Sequence, residues 1–283
     1  MKLSRFLLTG FAVLALAGGL GQAQDNAPHP KKAVYQDAAS WPSTAPGQVR
    51  LKGFRPFRAV YDRQYTQGSG PGAGEKRQDR VILSAEEVAW DGRRALSISL
   101  LDSGVAEHAD TNMRFLNMVT AMDDLSVLFE VGPAPGKAKD YYLGRVEKDK
   151  LLFSMVTTDT QQLMPQSLET DKAGFGPGCW VMASMKLKDD LKINLAPYYS
   201  PKANPISQSD YGRVIGRQTM EDGSGGSHQA WVVETSGYFS LSSPKVLQIY
   251  LQEQPPYYLG TEIVNLDDGE RKRYVWLRSF QQM

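Results

Sequence analysis

The stretch Lys245 to Phe280, KVLQIYLQEQPPYYLGTEIVNLDDGERKRYVWLRSF, limits the possible folds of this chain more than any other. It reads as three successive strands. Val246–Gln252 is rich in β-branched and aromatic residues and ends at Pro255-Pro256. Tyr257–Leu266 and Arg271–Phe280 flank Asp267-Asp268-Gly269-Glu270, an Asp-Gly hairpin signal. In the third strand a period of two puts Tyr274, Trp276 and Phe280 on one face and Val275 and Leu277 on the other. Apolar groups on both faces predict a strand covered on both sides, or one facing a core on one side and a cavity on the other. Nothing in the stretch resembles a catalytic apparatus.

Upstream, the same period recurs. Arg58–Tyr65 alternates as a strand and is broken by Gly68-Ser-Gly-Pro-Gly-Ala-Gly74. That run lacks the spacing of a phosphate loop, and Pro71 removes a backbone donor, so a hairpin loop is expected. Arg80–Trp90 and Arg94–Leu101 flank the turn pair Asp91-Gly92. Met118 to Leu128 could hold a helical turn, and Leu125–Val131 is again strand-like. Tyr141–Val146 and Leu151–Val156 form a hairpin, and Leu191–Tyr198, Tyr211–Met220 and Gln229–Thr235 are strands. One helix stands out, Gly178–Leu187, with Val181, Met182 and Met185 on one face. The expected class is all-β with minor α: a long antiparallel sheet curled into a half-barrel over residues 48–283, around a short helix near 178–187. Tyr141-Tyr-Leu-Gly144 and Tyr257-Tyr-Leu-Gly260 each follow an Arg-Val-Ile strand, at Arg80 and Arg213. Either two similar half-sheets lie side by side, or one meander merely repeats its composition.

The chain begins with Lys2 and Arg5, an apolar run Phe6–Leu20, and small residues at Gly21 and Ala23. This is the pattern of a signal peptide, residues 1–23, cleaved after Ala23. The expected location is the periplasm, with no stable membrane anchor once the signal is removed. Residues 24–47 are polar and proline-bearing and read as a flexible arm. Cleavage removes two basic residues and no acid, which leaves 30 basic against 31 acidic. Such a balance excludes nucleic acid as a partner, since phosphate binding needs a basic surface.

Cys179 is the only cysteine, so no internal disulfide forms. His29, His108 and His228 stand at no motif spacing from it. Ser242-Ser-Pro-Lys245 matches S-x-x-K but leads into a strand, where the lysine cannot sit one helical turn from the serine. The acidic pairs, among them Asp189-Asp190 and Asp267-Asp268, fall at turns without calcium-loop spacing. No catalytic residue, metal or cofactor is expected. The tyrosine doublets at 141, 198 and 257 are the suggestive feature. One tyrosine of each pair faces inward in a curled sheet. Tyr141, Tyr198, Tyr258, Trp231 and Trp276 either line a cavity for an apolar ligand or pack the core.

The export signal, the strand Phe57-Arg-Ala-Val-Tyr61, the segment Trp231-Val-Val-Glu-Thr235 and Pro255-Pro256-Tyr257-Tyr258 before a Gly-turned hairpin form a layout. It resembles an uncharacterised family of bacterial periplasmic β-proteins, similar in architecture to the lipoprotein-localisation factors. In those factors a half-closed antiparallel barrel holds acyl chains, and helices plug its opening. The resemblance implies a half-barrel that binds a lipid or acyl chain in its concave face, without enzymatic activity. The alternative is an envelope module that binds a protein partner through a sheet edge or the N-terminal arm.

Overall fold

The computed structural model describes residues 37–44, 51–66, 76–103, 113–133, 141–147, 150–156, 163–168, 178–195, 211–235 and 244–283. The signal segment, the loop 68–74 and Tyr198 lie outside them. A 3-10 turn, Ala38–Ser40, comes first, followed by β1 (Phe57–Thr66), β2 (Lys76–Trp90), β3 (Arg93–Ser103), β4 (Met113–Ala121) and β5 (Val127–Pro133). Next come β6 (Tyr141–Glu147), β7 (Lys150–Val156), β8 (Leu163–Leu168) and the helix α1 (Gly178–Ser184). The chain ends with β9 (Lys192–Asn194), β10 (Tyr211–Glu221), β11 (Ser227–Thr235), β12 (Lys245–Leu251), β13 (Tyr258–Asn265) and β14 (Arg271–Gln282).

All fourteen strands form one antiparallel sheet in the order β8-β7-β6-β5-β4-β3-β2-β1-β14-β13-β12-β11-β10-β9. The protein is all-β, and the sheet curls without closing, with β8 and β9 as its ends. Every pairing joins sequence neighbours except β1 with β14, which stitches the two halves together at the centre. Local turn chemistry explains the hairpins. Asp91 and Gly92 both take positive φ (49° and 73°), the geometry of a two-residue turn whose twist suits the flanking strands. Met122 to Leu125 is a turn between β4 and β5, in which Leu125 N–H bonds Ala121 O at 3.0 Å, and not part of a helix.

Register identifies the inner face, the one α1 packs against. Phe57, Ala59 and Tyr61 of β1 stand opposite Ala85, Leu83 and Val81 of β2. The first row continues through Ile98 of β3 to Met118 of β4, and the second through Leu100 to Leu116. On the other side Val275, Thr261, Ile249, Val233 and Val214 make one row across β14 to β10. All of these residues are buried and, Thr261 apart, they belong to one apolar core. Burial of this surface, at about 25 cal/mol per Å², is what holds a sheet without disulfides together.

Two expectations change here, and one open alternative is decided. The helix ends at Ser184, not Leu187, because Ser184 Oγ bonds Val181 O at 2.6 Å and Met185 N–H turns tightly onto Met182 O at 3.1 Å. Its residues from Cys179 to Ser184 are all buried, so it is a core helix and not an amphipathic one. Phe280 leaves the face of Trp276, because a bulge at Arg278 pairs Val60 with Ser279 but Tyr61 with Leu277. Phe280 thereby reaches Phe57, at 5.7 Å between ring centroids. The Tyr-Tyr-Leu-Gly segments are not equivalent: the first opens β6, four strands after β2, and the second lies on β13, three strands after β10. Tyr257 also precedes its strand at φ 66°, so the single-meander reading holds.

Part of the N-terminal arm is packed. Trp41 is 6% exposed and joins Ala38, Tyr211, Val246 and Val264 in a second, smaller apolar cluster on the outer face. Thr44 N–H bonds Asn194 O at 2.8 Å, and Asn194 Nδ2 bonds Trp41 O at 2.9 Å. Residues 41–44 therefore cover the edge of β9, where an unpaired strand would otherwise offer its backbone. The arm was expected to be flexible over 24–47. Residues 37–44 depart from that because Trp41 finds an apolar seat and β9 supplies backbone partners.

Candidate functional site

The inner face of β1, β2, β13 and β14 is the chemically richest surface among the described residues. Tyr61 and Tyr258 meet there with ring centroids 5.3 Å apart. Tyr61 Oη donates to Tyr258 O at 2.8 Å, and the Tyr258 hydroxyl is 2.7 Å from Thr261 Oγ1. Burial pushes the Tyr61 phenol well above its ordinary range, with Tyr258 and Cys179 beside it adding to the shift. One register step beyond Tyr61, Arg63 and Asp79 stand directly opposite each other. Arg63 Nε bonds Asp79 Oδ1 at 2.8 Å, and a second bond joins Nη2 to Oδ2. This buried, two-pronged pair puts a charged layer on a mostly apolar wall.

At the other end lies α1. Trp180 is fully buried and packs against Phe57 and Tyr257, each at 5.5 Å between centroids. Its Nε1–H has no hydrogen-bond partner, and neither does Thr120 Oγ1 on β4. Thr120 stands opposite Leu96 of β3, two residues from Met118, and so faces inward as well. Cys179 is buried beside Trp180, and burial pushes its thiol up to about 12. A thiol held protonated in this way is no nucleophile at neutral pH.

His228 sits elsewhere, on β11. Its Nε2 is 2.9 Å from Asp222 Oδ2 and its Nδ1 is 3.3 Å from Gln252 Oε1. Burial opposes ionisation of Asp222, but bonds from His228, from Ser224 and from the N–H of Gly226 outweigh it and lower the carboxyl to about 2. This cluster fastens the 222–226 turn. No group of three or more His, Cys, Asp or Glu that could hold a metal occurs among the described residues.

Of the residues singled out in the sequence, Trp231 and Tyr258 share one inner-face row, with Leu251 between them. Arg217 covers the Trp231 ring at 3.9 Å. Trp276 lies on the outer face, in the row of Gly260 and Tyr250, and its Nε1 donates to Glu221 O at 2.9 Å. Its separation from Tyr258 follows from the bulge at Leu259, which places Tyr258 and Gly260 on opposite faces. Tyr141 opens β6, and Tyr198 lies outside the described residues. Sequence reasoning did not single out Trp180, Thr120, Arg63 or Asp79. The one available signal was the phase of Arg63 and Asp79 within alternating strands, which becomes informative only when register is known.

No protein-family model matches the chain, and no curated protein matches it. Among solved structures the chain is similar to a beta-barrel-like protein of domain of unknown function DUF1849 from Brucella abortus. The two share 14% identity over 83% of this chain and 99% of that one, with a TM-score of 0.35.

Proposed function

We propose that the protein is an exported, non-enzymatic binding protein that holds an apolar ligand, a lipid or acyl chain, against the inner face of its curled sheet. One observation carries this reading. The apolar inner wall runs through β1–β5 and β10–β14, whereas α1, the only α-helix among the described residues, lies against β12 and β13. A wall of this extent opposite a single short plug suits an apolar guest, and the aromatic rings of Tyr61, Tyr258 and Trp231 add surface for it.

The test is native mass spectrometry of protein purified without detergent from its exporting host, followed by organic extraction. A co-purified lipid supports the reading, and its chemistry names the ligand class. A clean apo mass together with no saturable uptake of a fluorescent long-chain probe overturns it.

A further inference from the structure

The seat that holds residues 37–44 is built from the C-terminal half of the sheet alone. Trp41 clusters with Tyr211 of β10, Val246 of β12 and Val264 of β13. Lys192 of β9 lies over the indole at 5.0 Å, and its Nζ is 3.6 Å from Asp37 Oδ2. Asn194, also on β9, accepts the Thr44 N–H on its carbonyl at 2.8 Å. It gives its own N–H to Thr44 Oγ1 at 3.3 Å and its side-chain amide to Trp41 O at 2.9 Å. An acidic residue, a tryptophan four positions on and a hydroxyl three further thus meet a cation, an apolar slot and a strand edge in matching order. No residue of this cluster belongs to the main core, so the strap can leave its seat without opening the inner wall.

Nothing in these contacts requires segment and seat to belong to one chain. Trp41 packs beside Val246, whereas the chain next meets the sheet through Lys52, whose Nζ is 2.9 Å from Glu253 beyond the other end of β12. Val246 and Glu253 are seven residues apart, about 23 Å along an extended chain. The eight residue steps from Thr44 to Lys52 reach at most about 29 Å, so the connection has little length to spare. A short connection of this kind favours exchange between copies, in which each arm keeps every contact it makes to the seat. We propose that the seat on β9, β10, β12 and β13 is an exchangeable docking site for residues 37–44. It is filled by the arm of the same chain in a monomer and by the arm of a second copy in a dimer. The exchange is independent of ligand binding on the inner face.

The full-length protein and its Trp41→Ala variant are titrated with a fluorescent peptide of residues 37–44. The variant, whose own arm no longer competes, is expected to bind the peptide saturably and about tenfold more tightly than the wild type does. The Trp41→Ala form of the peptide is expected not to bind. Sedimentation of the wild type is then followed as its concentration rises from about 10 μM toward about 1 mM, the effective concentration of a short tether. A dimer is expected to grow in, to be dissolved by excess peptide and to be absent from the Trp41→Ala variant. Absence of peptide binding to the variant overturns the docking site. Peptide binding without a wild-type dimer, or a dimer that forms equally in the variant or resists the peptide, overturns the exchange.

Discussion

Tyr61 of β1 donates its phenol hydrogen to the backbone carbonyl of Tyr258, 197 residues further along the chain, at 2.8 Å. The bond ties the N-terminal half of the sheet to the C-terminal half across β14. It lies in the core, with Tyr61 and Tyr258 both buried.

Tyr61→Phe keeps the ring and deletes that donor. The expected loss is about 0.5–1.5 kcal/mol of unfolding free energy. Urea denaturation followed by tryptophan fluorescence measures it; an unchanged midpoint would show that the bond contributes nothing.

The Arg63–Asp79 pair is buried on both sides, with side chains 8% and 2% exposed. Arg63→Met alone strands a buried carboxylate and is expected to cost about 3–5 kcal/mol. Arg63→Met combined with Asp79→Leu removes both charges and is expected to recover most of that loss. A double-mutant cycle decides between them: additive single losses would mean that the two residues do not act as a pair.

Asp222 gives the stability an acid limb. Its carboxyl titrates at about 2, below the ordinary value of 3.8, so its contribution is complete above pH 4. That contribution is lost as the pH falls from 4 toward 2, and amounts to about 2 kcal/mol. Asp222→Asn is expected to flatten the stability curve over this interval. Parallel wild-type and variant curves between pH 5 and pH 2 would contradict the assignment.

Trp41 clamps residues 37–44 onto the outer face, with its ring edge-on to Tyr211 at 6.3 Å. Trp41→Ala is expected to free the strap and speed hydrogen exchange at Asn194, whose N–H faces Thr44 Oγ1 at 3.3 Å. Amides in β3 serve as the control, because no residue of that strand belongs to the Trp41 cluster. Unchanged exchange at Asn194 would mean that the strap is held by something other than the indole.

Gly260 lies flat under Trp276. A Cβ there would meet Val275 O at 2.8 Å and Trp276 Cε3 at 2.9 Å, both too close for a side chain. Gly260→Ala is expected to cost about 1–3 kcal/mol and to shift the Trp276 emission as the ring is displaced. A variant as stable as the wild type, with the same emission, would show that β14 can slide to make room.

Sequence alone determined the class and most of the strands, because those depend on nearest neighbours. Alternating apolar residues in Val246–Gln252 and the Asp-Gly pairs at 91–92 and 268–269 specify strands and turns without reference to the rest of the chain. Val275 and Leu277 were rightly placed together on one face, and both are fully buried. What failed was phase and partnership. A bulge adds one residue to one strand and inverts every face beyond it, which is why Phe280 parted from Trp276 and why Trp276 lies on the face opposite Tyr258. Strand β8 went unread because Pro165 interrupts a six-residue segment.

The pairing of β1 with β14, the meeting of Arg63 with Asp79 and the burial of Trp180 against Phe57 were decided by the tertiary structure. Each joins residues whose own neighbourhoods give no sign of the other. Their energy comes from removing apolar surface and charge from water together, and a local pattern carries no term for that.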